Sequence, residues 1–170
     1  MTTYIALLRA VNVGGTGKLP MADLIAMCAE LKFARIETYI ASGNVVFESN
    51  HSSDWVQAKL AASLRTYAGK EIGVFVRTAA EVEAILKNNP FHDKEPKFTY
   101  AIFLNANPAA SCLGSIRGRD GEDVRLGRRE IYVHYPKGMG KSKLRIPAAS
   151  EGTARNLNTV AKIVEIACRK

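Results

Sequence analysis

Thr38-Tyr39-Ile40-Ala41-Ser42-Gly43-Asn44-Val45-Val46-Phe47 is the stretch on which the fold turns. β-Branched and aromatic residues flank a small polar turn, so it reads as two strands joined in a hairpin. Residues 36–40 form the strand entering the turn, and Val45-Val46-Phe47 opens the strand leaving it. Upstream, Tyr4-Ile5-Ala6-Leu7-Leu8 is an unbroken apolar run, as expected of a central strand. Leu24, Ile25, Cys28 and Leu31 then recur at helical spacing after Pro20, which suits a first helical turn because it has no N–H to leave unpaired. Downstream, Val56, Leu60 and Leu64 mark a second helix with Asp54 as its N-cap, and residues 73–77 a fourth strand. The order is βαββαβ over residues 1–77, which predicts an α+β protein whose first subdomain is ferredoxin-like.

Residues 78–170 read as a second, basic α/β subdomain. Thr78-Ala79-Ala80-Glu81 is a capping box, in which hydroxyl and carboxylate each satisfy a free N–H at a helix start. That helix stops near Asn89-Pro90. Residues 99–104 form a strand, and 105–122 a short helix and loop. Val124-Arg125-Leu126 and residues 131–135 make a second hairpin around Gly127-Arg128-Arg129. A basic loop follows from Lys137 to Arg145, and Thr153 is expected to cap a final helix reaching Cys168. On that helix Leu157, Val160, Ala161, Val164 and Cys168 share one face, and Arg155, Asn158, Lys162 and Arg169 the other.

Of the 170 residues, 47% are hydrophobic, enough for a core. No apolar run approaches the ~20 residues of a membrane span, and the N-terminus has no basic n-region or cleavage site. Cys28, Cys112 and Cys168 are odd in number and far apart, which suits buried free thiols in a reducing, cytoplasmic setting. His51, His92 and His134 lack metal-ligand spacing, so no metal site is expected. The net charge of +8 is unevenly placed: residues 1–93 hold 9 Lys and Arg against 9 Asp and Glu, and residues 94–170 hold 15 against 7. Such asymmetry points to an anionic partner, a phosphate-bearing small molecule or a nucleic acid, or else to a solvated basic face.

Four phrases recur in one order. They are Ala6-Leu7-Leu8-Arg9-Ala10-Val11-Asn12-Val13-Gly14-Gly15, the hairpin quoted above, Asn89-Pro90-Phe91, and Thr153-Ala154-Arg155-Asn156-Leu157-Asn158-Thr159-Val160. Together they resemble the bacterial domain of unknown function 1697 family along almost the whole chain. Each phrase alone is moderate; four in order are specific. The glycine typical of that family at position 10 is alanine here. The resemblance implies the fold and a bacterial cytosolic setting, and it supplies no catalytic residue.

The Gly-rich segment Asn12-Val13-Gly14-Gly15-Thr16-Gly17-Lys18 follows a strand and opens a helix, where backbone N–H groups and the helix dipole favour an anion. It is not a Walker loop, because Leu19 follows Lys18 and position 12 is Asn, and Pro20 breaks G-x-G-x-x-G. Gly138-Met139-Gly140-Lys141-Ser142-Lys143 fails too, with Tyr135 where the first glycine belongs. No cofactor is implied. Lys137, Lys141, Lys143 and Arg145 remain a candidate anion-contacting loop. No G-x-S-x-G is present, no Cys or His has an orienting partner, and the central strands lack the aromatics of an RNA-recognition sheet.

The split βαβ order places the Asn12–Lys18 loop beside the Ser42–Asn44 turn. The candidate cleft therefore comprises Arg9, Asn12, Gly14, Gly15, Lys18, Ser42, Gly43 and Asn44, joined by Arg155, Asn156 and Asn158 if the last helix lies near that end. Two asparagines and an arginine at a helix start suit an anion or amide ligand, or else local capping. Three functions are open: a binding module for an anionic ligand, an enzyme acting on a small polar substrate in that cleft, or a structural or interaction protein.

Overall fold

The computed structural model describes residues 1–12 and 18–169. It is a mixed α+β protein with two four-stranded antiparallel sheets. Its contacts divide the chain into one unit of Met1–Glu83 with Lys162–Lys170, and a second of Ala84–Ala161. The sequence reading set the break at 77/78 and grouped the last helix with the second half. The contacts set it at 83/84 and group the end of that helix with the first unit.

In the first unit, β1 (Thr2–Leu8), α1 (Met21–Glu30), β2 (Ala34–Thr38), β3 (Asn44–Ser49), α2 (Ser53–Ala68) and β4 (Val74–Thr78) build a sheet of order β2-β3-β1-β4. β1 pairs antiparallel with both β3 and β4, so the apolar run at its core is central, as expected. Tyr4, Ala6 and Leu8 on one face of β1 meet Leu24, Met27 and Cys28 of α1 and Val56, Leu60 and Leu64 of α2. Ile25, read as apolar-face, is instead 37% exposed, because Met27 takes the inward position. Phe33 stacks on Phe47 with ring centroids 4.3 Å apart. α2 is capped by Ser52, whose hydroxyl accepts from Trp55 N–H at 3.2 Å. Asp54, expected as the cap, lies inside the first turn, where its carboxylate complements the helix dipole.

Cys28 is fully buried, and burial pushes its thiol to about 12 from an ordinary 9.0. The neutral thiol is the form the fold favours. That stability is complete below pH 9 and lost as pH rises toward 12, at about 1.4 kcal/mol per unit. Chemical denaturation should show Cys28→Ala flattening the alkaline decline, by about 2 kcal/mol over the first pH unit and a half above the thiol's ordinary value.

α3 (Ala79–Lys87) starts at the capping box read from the sequence. Thr78 N–H donates to Glu81 Oε1 at 2.8 Å, and Glu81 N–H to Thr78 Oγ1 at 3.1 Å. The second sheet holds β5 (Thr99–Phe103), β6 (Asp123–Leu126), β7 (Glu130–His134) and β8 (Thr153–Asn156) in the order β6-β7-β5-β8. That is the order of the first sheet with every strand four places later. Short 3₁₀ segments, including Ala110–Ser115, Met139–Lys141 and Pro147–Ala149, occupy the connections where the first sheet has helices. Ile102, Leu104, Val124, Ile131, Val133 and Tyr135 form this sheet's core.

β8 corrects the expected cap at Thr153. Thr153 pairs with Phe103 and Arg155 with Ala101, so the chain is extended there, and α4 (Leu157–Ala167) starts four residues later. Asn156 is its cap, the side-chain oxygen accepting Thr159 N–H at 2.9 Å. The buried face of α4 is Leu157, Val160, Ile163, Val164 and Ala167, whereas Ala161 and Cys168 are exposed. Cys112 is half-buried, so of the three thiols expected to be buried only Cys28 is. No helix among the described residues is long and apolar enough to cross a membrane.

Candidate functional site

The turn and loop at the C-terminal end of β1 are neighbours, as the strand order requires. Leu8 N–H donates to Gly43 O at 2.8 Å. Asn12 Nδ2 donates to Ala41 O and to Leu19 O, both at 2.8 Å, while its Oδ1 accepts Leu19 N–H at 2.7 Å. One side chain thus ties Asn12 to Leu19 and to the hairpin. Gly14 and Gly15 lie outside the described residues. Asn44 is fully buried and donates to Tyr39 O at 2.8 Å and Ser42 Oγ at 2.9 Å. Asn12, Ser42 and Asn44, read as candidate ligand contacts, therefore have their polar atoms engaged in holding this turn. Gly43 has φ +92, and a Cβ there would stand 2.7 Å from Val11 Cγ2.

Arg9 and Lys18 face elsewhere. They line a cavity of about 470 Å³ with Lys70, over an apolar floor that includes Val11, Leu19 and Ile72. Its geometry follows from the end of α2. Gly69, with φ +73, takes the left-handed C-cap that a side chain resists, and its N–H returns to Arg65 O at 2.8 Å. The chain then reverses through Lys70 to Gly73, whose carbonyl accepts Arg9 N–H at 2.9 Å. Glu71 also lines the cavity but accepts from Arg65 at 3.0 Å. Tyr67 donates its hydroxyl to Asp23 at 2.8 Å, which holds the phenol above its ordinary range. Lys70 and Tyr67 were not picked out from sequence. They lie some sixty residues from Arg9, and no motif links them.

Ala10 and Asn12 are left-handed, at φ +57 and +56. At position 10, where the resemblance leads to an expectation of glycine, alanine takes a conformation that glycine adopts more readily. Among the described residues, the cavity lining includes no Ser, Thr, Cys or His. It offers positive charge and apolar contact, which suits binding, and no nucleophile with a base beside it.

In the second unit Arg155 is buried in β8, not displayed on a helix. Its Nη1 donates to Thr153 Oγ1 at 2.8 Å and Ala154 O at 3.0 Å, and burial lowers its pKa to about 10. Asn156 is engaged as the α4 cap, and Asn158 is exposed. Lys137, Lys141, Lys143 and Arg145 are all exposed, and Lys137 pairs with Asp120 at 3.4 Å. This unit holds 13 Lys and Arg against 7 Asp and Glu, and so carries most of the +8 net charge.

No curated protein matches the chain. Among solved structures it is similar to the conserved bacterial protein SP0830 from Streptococcus pneumoniae, with a TM-score of 0.80 at 24% identity over 98% of both chains. That likeness extends over both units and concerns the fold. The family model for a protein of unknown function, DUF1697, matches residues 1–132, and the chain belongs to that family.

Proposed function

We propose that the protein is a binding module for a small phosphate-bearing ligand, held in the cavity of the first unit. The observation that carries this reading is the convergence of Arg9, Lys18 and Lys70 around an apolar floor in about 470 Å³. A cavity of that size fits a metabolite-sized molecule. Guanidinium and ammonium groups from separate segments match an anion's oxygens, and Val11, Leu19 and Ile72 would cover its apolar part. The strand order β2-β3-β1-β4 with two helices on one face supports reading this unit as ferredoxin-like. Free thiols in all three cysteines agree with a reducing cytoplasmic compartment.

A thermal-shift screen against nucleotides and sugar phosphates tests the proposal. A ligand at about 100 times its Kd should add roughly 2.7 kcal/mol of stability. Arg9→Ala and Lys70→Ala should each abolish most of that gain while leaving the unliganded melting temperature within a few degrees, because both side chains are exposed. A panel without hits, or a hit that both variants keep, rejects this site.

A further inference from the structure

The second unit has a cationic face of its own. Arg117 and Arg145 form an isolated antiparallel bridge, exchanging both backbone hydrogen bonds at 2.9 and 2.8 Å. A pair bonded in this way has its Cα atoms about 5.5 Å apart and both side chains on one face. Like charges set opposite one another are destabilising, and a compact anion between them would reverse the sign. The crossing is tight. Gly118 has φ +71, and a Cβ there would stand 2.2 Å from the Lys143 carbonyl oxygen. The flanking Arg119 and Lys143 are thereby drawn into the same strip, next to Lys141 at the end of its 3₁₀ turn.

Two acidic residues of this region are already engaged. Ser142 Oγ donates to one Glu122 oxygen at 2.6 Å, and Asp120 N–H to the other. Those contacts pin the two segments together and hold the Glu122 carboxyl below its ordinary range. Asp120 itself pairs with Lys137. Arg117, Arg119, Lys141, Lys143 and Arg145 are all exposed.

We infer that this strip binds the phosphate backbone of a nucleic-acid duplex without reading its sequence. A cluster of exposed cations on two segments joined by this bridge matches a repeating polyanion. The absence of stacking surfaces separates duplex from single strand. The phenylalanine and tyrosine rings of this unit are buried or half-buried, Phe91, Phe103, Tyr132 and Tyr135 among the former, and the lone exposed imidazole of His92 makes no platform for successive unpaired bases. Met139 and Leu113, each 42% exposed, are too little apolar surface to anchor the face in a bilayer.

Fluorescence anisotropy with a labelled DNA duplex tests the inference on the full chain. Affinity should fall roughly a hundredfold between about 50 and 200 mM salt, as expected for about four phosphate contacts. Arg117→Ala/Arg145→Ala should weaken binding at least about tenfold at the lower salt and reduce the log–log salt slope by about two. Arg117→Lys/Arg145→Lys should keep most of both. Lys141→Gln/Lys143→Gln gives a second pair whose side chains take no part in the bridge, should the alanine variant fail to fold. Tighter binding to single-stranded DNA of equal length overturns the inference. So does binding to phosphatidylglycerol vesicles without binding to duplex, no binding at the lower salt, or duplex binding unmoved in both neutralised pairs.

Discussion

Gly43→Ala should lower the unfolding free energy by about 4 kcal/mol, a large share of the 5–15 kcal/mol typical of a domain. Two costs combine. The backbone at φ +92 is one that L side chains rarely adopt, worth about 1–3 kcal/mol. The added methyl would also stand 2.7 Å from Val11 Cγ2 and 2.9 Å from Leu8 Cβ, and overpacking typically costs about 1–3 kcal/mol. Neither neighbour can yield easily, since Leu8 is fully buried and Val11 is 4% exposed. Urea denaturation measures the loss. A change below about 1 kcal/mol would mean that the turn relaxes and that Leu8 N–H to Gly43 O is not fixed as described.

Asn12→Ala should cost about 3 kcal/mol, nearly as much, from a residue whose surface position gives no warning of it. Three hydrogen bonds go at about 0.5–1.5 kcal/mol each, and alanine inherits an unfavourable φ of +56. Asn12→Asp separates the terms. It keeps an acceptor for Leu19 N–H but cannot donate to Leu19 O or Ala41 O, so it should fall between alanine and wild type or below both. If Asn12 served a ligand instead, its alanine variant would melt with the wild type and lose only binding. This matters for the thermal-shift screen, because a lost signal in Asn12→Ala reports the loss of these three bonds as readily as a lost ligand contact.

Local chemistry was legible wherever it was sufficient. The capping box at Thr78 and Glu81 and the two hairpins are short-range devices, and the observed bonds match them. The four-residue β8 was not legible. Thr-Ala-Arg-Asn before an apolar periodic run resembles a helix start, and only pairing with β5 makes it a strand. Ser52 and Asp54 both suit capping, and the structure has Ser52 at the cap with Asp54 in the first turn. Arg9 and Lys18 were recognisable as loop cations, but Lys70 joins them only through the reversal after Gly69. Arg145 likewise stood out in a basic run, while Arg117 opposite it depends on a bridge between segments 28 residues apart.

The first unit is discontinuous in the chain, its last part being Lys162–Lys170. Arg169 reaches Glu37 at 3.6 Å, beside a recess lined by Ile36, Phe47 and Ile166. Synthesis delivers the closing segment only after the whole of Ala84–Ala161 has been made. At roughly 5–20 residues per second, the sheet of β1 to β4 leaves the ribosome several seconds before its final piece. During that interval the nascent chain carries an incomplete first unit while the second is still being made.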